Sequence, residues 1–210
     1  MSAHCCSTPP ADAGYRKALW IALVVNAAMF LVEIAASATS GSAALAADAV
    51  DFAGDAGNYA LSLAALAAGG LWVSRAALAK GVAMAVYGIG VLAFAGWRLW
   101  LGSPPEPITM GVIGFVALAA NLGVAWLLYA YRNGDANMRA VWLCTRNDAI
   151  SNLAVLAAAA GVLGTASVWP DVAVAAIMAS IALRSAAEVI RSARAELDTP
   201  ARASTLQSPL

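Results

Sequence analysis

Six apolar segments of membrane-spanning length follow one another along this chain, and they constrain its fold more than any other feature. A bilayer core about 30 Å thick requires about 20 apolar residues in each crossing helix. The segments cover approximately residues 17–38, 44–70, 79–101, 108–131, 138–163 and 171–191. Hydrophobic residues make up 62% of the chain and charged residues 11%, whereas soluble domains carry about 25% charged residues. The sequence therefore predicts an all-α integral membrane protein with six transmembrane helices.

The distribution of positive charge predicts the orientation of these helices. Lys and Arg are concentrated before segment 1, between segments 2 and 3, around the turn between segments 4 and 5, and at the end of segment 6. Because positive charge stays on the cytoplasmic side, both termini are expected in the cytoplasm of a bacterium, with the helices in its inner membrane. We expect a six-helix domain over residues 16–193 between mobile tails at 1–15 and 194–210. The net charge is zero, so nothing indicates a nucleic-acid partner.

Three aspartates interrupt the second segment: Asp48, Asp51 and Asp55. Insertion scales assign roughly 2.5–3.5 kcal/mol to one Asp at the centre of a spanning helix, so acids at that depth indicate a function. Asp51 and Asp55 are four residues apart and share one helix face. At 1.5 Å per residue they lie about 10–17 Å below the outer face. Asp148, in the fifth segment, lies about 15 Å above the inner face. Acids from two helices at one depth predict a site for a metal cation or a proton relay.

Other polar residues accompany these acids. Cys144, Asp148 and Asn152 share one face of the fifth segment, and Asn147 flanks it. Glu33 and Asp48 are expected near the outer face, where they would form a vestibule. Further candidates for an accessory metal-binding role are Asp48, Glu33, Asn147, Asn152, His4, Cys5 and Cys6. Each type also has a structural interpretation: buried pairing for the acids, packing for the cysteine, helix–helix hydrogen bonding for the asparagines, and a solvated tail for residues 4–6.

Two stretches carry a resemblance to a known family. VNAAMFLVEIAASATSGSAALAADAVDFAGDA resembles the first two helices of the cation diffusion facilitators, in which an SGS-type turn precedes a helix with a His-x-x-x-Asp or Asp-x-x-x-Asp pair. DANMRAVWLCTRNDAISNLAVLAAA resembles their fifth helix, with Cys144-x-x-x-Asp148 in place of the usual His-x-x-x-Asp. SPPEP and WPD also agree with the family. The resemblance covers about residues 16–197 and is to a short form without the C-terminal cytoplasmic domain.

The resemblance implies a proton-coupled efflux transporter that binds a divalent transition metal between helices 2 and 5. Carried over, the tetrahedral metal site consists of Asp51, Asp55, Cys144 and Asp148. A thiolate favours Zn, Co or Cd, whereas oxygen ligands also admit Mn or Fe. The expected partners are the metal ion, protons and membrane lipid, with a homodimer formed through the transmembrane helices. Neither a prosthetic group nor enzymatic activity is expected.

Two other classes of protein share some of these features. An intramembrane aspartyl protease also uses two Asp on different helices. Gly54-Asp55 matches the end of its Gly-x-Gly-Asp signature, but the first glycine is missing because residue 52 is Phe. A non-transporting membrane subunit has no use for acids at the midplane, given their insertion cost. Release of metal in exchange for protons would distinguish a transporter from both.

Overall fold

Six α-helices make up the protein in a computed structural model that describes residues 13–67, 71–133 and 136–206. The described residues contain no strand, which confirms the all-α, six-helix prediction. His4, Cys5 and Cys6 lie outside these residues. The helices are α1 (Ala13–Ser40), α2 (Ala43–Ala67), α3 (Leu71–Leu101), α4 (Pro107–Tyr129), α5 (Ala136–Thr165) and α6 (Trp169–Leu206).

The acidic helix α2 occupies a central position among the others. Among the described residues, five helices contain a stretch that is long and apolar enough to cross a membrane, at 13–40, 74–101, 107–129, 148–165 and 169–198. The exception is α2, which carries the three aspartates and Asn58. It packs against α1, α3, α5 and α6. Because these four helices surround it, α2 can cross the bilayer while its polar side chains face other helices rather than lipid.

Two helices extend beyond the apolar segments that the sequence predicts. α6 continues to Leu206, whereas the predicted apolar segment ends near residue 191. α3 begins at Leu71, whereas the predicted segment begins near residue 79. The Ser74 hydroxyl donates a 2.6 Å hydrogen bond to Glu196 Oε2 and so joins the two extensions. Hydropathy measures the part of a helix that lies in the bilayer. It therefore misses polar turns that continue past the membrane and are stabilised by contacts with each other.

The α3 and α6 backbones approach each other closely through small residues. A Cβ atom on Gly81 would lie 2.8 Å from Ile190 Cγ1, and one on Gly88 would lie 3.0 Å from Leu183 Cγ. Both contacts are tighter than almost all real Cβ contacts, so a larger residue at either position would force Ile190 or Leu183 to shift. Small residues at membrane helix interfaces permit this kind of close packing. The result is a tight α3–α6 pair beside the remaining helices.

Asp171 joins the N-terminal ends of α2 and α6. Its carboxylate is fully buried and accepts hydrogen bonds from the Ser42 hydroxyl at 2.6 Å, the Ala43 N–H at 2.8 Å and the Ala44 N–H at 3.0 Å. The first N–H groups of a helix have no partner within the helix, and the positive end of the helix dipole attracts an anion. Asp171 therefore caps α2 from a different helix, a role that the WPD turn did not predict.

Candidate cation site

A cavity of about 440 Å³ opens between α2, α3, α5 and α6. Asp51 and Asp55 line it from α2, and Asp148 lines it from α5. The structure thus brings together at one cavity the three carboxylates that the sequence singled out in two separate segments. Other polar side chains in the lining are Asn58, Lys80, Ser151, Ser185 and Glu188.

Asp55 and Asp148 form the closest part of this acidic group. Their carboxyl groups lie next to each other across the α2–α5 interface, and Asp55 is only 8% exposed. Among the described residues, no hydrogen bond reaches the buried Oδ2 atom of Asp148. A buried carboxylate oxygen without a donor, beside a second carboxyl group, requires a positively charged partner or a proton. The arrangement is suited to holding a cation.

The register of α2 against α5 is fixed by a hydrogen bond between hydroxyl groups. Tyr59 Oη and Thr145 Oγ1 are 2.6 Å apart, and both residues are buried. Tyr59 follows Asp55 by one helical turn, and Thr145 precedes Asp148 by about one turn. The two carboxyl groups therefore face each other because the hydroxyl pair aligns their helices. Sequence reasoning missed this pair, since neither residue stands out in its own segment.

The acidic side chains do not form a ready-made metal centre. Within the parts of the chain that the structure describes, no three His, Cys, Asp or Glu side chains converge closely enough to hold a metal ion together. Asp51 lines the cavity without joining the Asp55–Asp148 pair as a third close ligand. Cys144 and Asn147 lie in α5, but their side chains fall outside the described set, so their metal-binding roles stay predictions from the sequence.

A second acidic cluster lies apart from the cavity lining. Glu33 and Asp48 are 0% and 1% exposed, and their carboxyl groups are neighbours between α1 and α2. Asn152 Nδ2 donates to both Asp48 oxygens at 2.9 and 2.7 Å, and Asn152 Oδ1 accepts from Asn121 Nδ2 at 2.8 Å. The expectation of an open vestibule is therefore wrong, because α4 and α5 close over these acids and supply amide partners. Asn152 is turned to Asp48 rather than to the cavity.

A comparison with protein-family models decides what kind of membrane protein this is. The model of the cation efflux transmembrane domain matches residues 74–197. The chain belongs to the cation efflux family. The match runs from the start of α3 into α6 and includes Asp148, whereas Asp51 and Asp55 precede it. No curated protein shows significant similarity to the chain.

Family membership confirms the resemblance to the cation diffusion facilitators and makes the protein a cation transporter. Together with the apolar helices, it identifies an integral membrane protein. The cation efflux family is a family of transporters rather than of enzymes. The lining residues on α3, α5 and α6, among them Asp148, lie within the matched residues, whereas those on α2 precede them.

Lys80 gives this cation efflux protein a positive charge at the cavity. Its ammonium group donates a hydrogen bond to Asn58 Oδ1, one turn from Asp55, and it acts electrostatically on Asp55. Its alkyl stem lies against Gly57, where an added Cβ would be 3.0 Å from Lys80 Cδ. The sequence indicated Lys80 only as a cytoplasmic loop charge. Its position in the third turn of α3, facing α2, depends on packing between helices that the sequence does not encode locally.

Proposed function

We propose that the protein is a proton-coupled efflux transporter for a divalent transition metal, which binds in the cavity between α2 and α5. The observation that carries this proposal is that Asp51, Asp55 and Asp148, from two helices, line one cavity in a protein of the cation efflux family. Acids inside a membrane domain are costly, so their convergence on a cavity favours a role in the ion pathway.

Asp55 and Asp148 are the first ligands in this proposal, because their carboxyl groups already adjoin. Asp51 supplies a third oxygen ligand from one turn away on α2. Cys144 precedes Asp148 by four residues on α5, so the helical register directs it to the same face. Since the three aspartates are not gathered around a single point, we infer that α2 and α5 close further on the ion as it binds. The thiolate would favour Zn, Co or Cd, and the oxygens admit Mn or Fe.

Competition between metal and protons provides the coupling. The cavity also holds the Lys80 cation and a fourth carboxyl group, that of Glu188. The three aspartates cannot all stay ionised when no metal is present, because like charges repel strongly in a site of low dielectric. They therefore hold protons as a group rather than as independent residues. A divalent ion displaces these protons when it binds, and protons replace the ion when it leaves on the other side.

Vesicle transport with a metal panel and an internal pH reporter tests the proposal. Purified protein should move at least one of Zn, Co, Cd, Mn or Fe with counter-movement of protons. Asp55→Asn and Asp148→Asn should each reduce this transport by more than the 10–100-fold typical of groups that only orient a ligand. Asp198→Asn is the matched control, since Asp198 is an exposed carboxylate on α6 outside the cavity. Normal metal transport by both cavity variants would refute the site.

The metal preference tests Cys144 separately. Cys144→His should shift preference towards Zn, because imidazole is a good zinc ligand at a tetrahedral site. Cys144→Ser should weaken transport of Cd more than that of Mn, because it removes the soft ligand. An unchanged metal profile in both variants would assign Cys144 to packing.

A further inference from the structure

We propose that Glu33 and Asp48 form a proton-binding carboxyl pair that is distinct from the metal cavity. The pair lies between α1 and α2 and is closed off by Asn152 and Asn121. Its contribution to transport rests on the proposed function, whereas the proton itself can be detected without any transport. Nothing in the cavity lining overlaps with these residues.

The hydrogen bonds around the pair indicate where the proton resides. Asn152 donates to both oxygens of Asp48, and a carboxylate that accepts two N–H bonds is favoured in its ionised form. No donor among the described residues reaches either oxygen of the fully buried Glu33. A hydrogen bond between two carboxyl groups needs a proton on one of them. Glu33 is therefore the protonated member, and its O–H group is directed to Asp48.

The surrounding charges favour retention of a proton by the pair. The charges of Asp48 and Asp51 disfavour a negative charge on Glu33, and the charge of Asp148 disfavours one on Asp48. Each of these charged neighbours is a carboxyl group, and α4, which packs against α1, presents the neutral Asn121. Two adjacent ionised carboxylates without a cation would be strongly unfavourable in a buried site. One shared proton removes that repulsion, as it does in other pairs of buried carboxyl groups.

The pair is placed so that charge in the cavity can act on it. Asp48 precedes Asp51 by three residues on α2, and Asn152 follows Asp148 by four residues on α5, so each is about one turn away. A divalent cation bound to the cavity aspartates would favour the ionised form of Glu33. Its O–H bond then breaks, Glu33 becomes a carboxylate, and the proton passes to water. When the metal leaves, Glu33 takes up a proton again.

Infrared spectroscopy of the metal-free protein in lipid tests whether the pair holds a proton. At neutral pH we expect a carboxylic-acid C=O stretching band component that disappears in Glu33→Gln and persists in Asp55→Asn. Glu33→Gln should fold, because a glutamine amide can donate to Asp48 as the protonated acid does. Glu33→Asp should retain a shifted band. Persistence of the whole wild-type band in Glu33→Gln would overturn the proposal, and so would absence of the band from the wild type.

Proton release on metal binding then tests the coupling. The number of protons released per metal, measured in a weakly buffered solution with Zn or Mn, should fall by about one in Glu33→Gln. Metal affinity at high pH should stay close to that of the wild type. Loss of metal binding at every pH would instead make Glu33 a metal ligand and overturn the proposal. If the wild type binds no metal, the proposed transport function fails, and the infrared result still decides whether the proton pair exists.

Discussion

Removing the Asp171 carboxylate should destabilise the protein far more than its position at the start of α6 suggests. Asp171→Ala leaves three donors without an acceptor: the Ser42 hydroxyl and the N–H groups of Ala43 and Ala44. All of these residues are buried, so water cannot fully replace the lost acceptor. The change also removes a negative charge from the positive end of the α2 dipole.

The magnitude follows from the bonds that are lost. Hydrogen bonds to charged groups contribute about 1.5–3 kcal/mol each, and such contributions are not additive. We therefore expect Asp171→Ala to lower the free energy of unfolding by about 3–5 kcal/mol, as when one partner of a buried charged contact is removed. Asp171→Asn keeps one acceptor oxygen, which can serve the two donors that now use Oδ1. Its loss should be about 1.5–3 kcal/mol.

Reversible unfolding in mixed detergent micelles, followed by circular dichroism, measures these differences. Glu106→Gln is the matched control, because Glu106 caps α4 through the N–H groups of Ile108 and Thr109 but is exposed. Its effect should be smaller than that of either Asp171 variant, since water solvates the freed groups. If Asp171→Ala costs no more than Glu106→Gln, the buried cap between α2 and α6 contributes nothing beyond an ordinary surface cap.

Three further outcomes are expected. Lys80→Gln should lower the apparent Km for metal in vesicle uptake, because it removes a cation that opposes metal binding near Asp55. Lys80→Arg should retain the wild-type Km, and equal Km values in all three proteins would contradict this prediction. The pKa of Glu106 is held below its ordinary value of 4.5 by hydrogen bonds from Thr109 and Ile108. Its ionised form therefore stabilises α4 above that pH, and the contribution disappears as pH falls through the lowered pKa. Denaturation of the wild type and Glu106→Gln between about pH 6 and pH 3 should show this loss in the wild type alone. Reporter fusions at residues 1 and 210 should both be active in the cytoplasm, as the loop charges predict, and a periplasmic signal at either end would refute the predicted orientation.

The helices and the shared acidic face could be predicted because their signals lie within single segments. Apolar length predicts each span, and the four-residue spacing of Asp51 and Asp55 directs both to one face. The equal depth of Asp148 on α5 then predicts that the two helices meet at the cavity. These inferences need only helical geometry and the thickness of a bilayer.

The contacts that complete the site could not be predicted, because they join residues far apart in the chain. Tyr59 and Thr145 align α2 with α5, and Lys80 bonds to Asn58 across the α2–α3 interface. Sequence spacing placed Glu33 and Asp48 near the outer face, but it did not show that neighbouring helices enclose them. The polar end of α6 was similarly missed, because hydropathy detects lipid contact and not helix continuation.

The cap at Asp171 also holds the N-terminal end of α6 against α2, so that α6 could rotate about this end. The helix is attached to α2 at Asp171, and Glu188 lines the cavity about 25 Å further along at 1.5 Å per residue. A rotation of roughly 10° about the attached end would displace the helix at the level of Glu188 by about 4 Å over that distance. α3 would move with it, because the two helices are in close contact at Gly81 and Gly88 and the Ser74 hydroxyl donates a hydrogen bond to Glu196. A small angular change at one end of the molecule is thus amplified into a change of cavity width at the other.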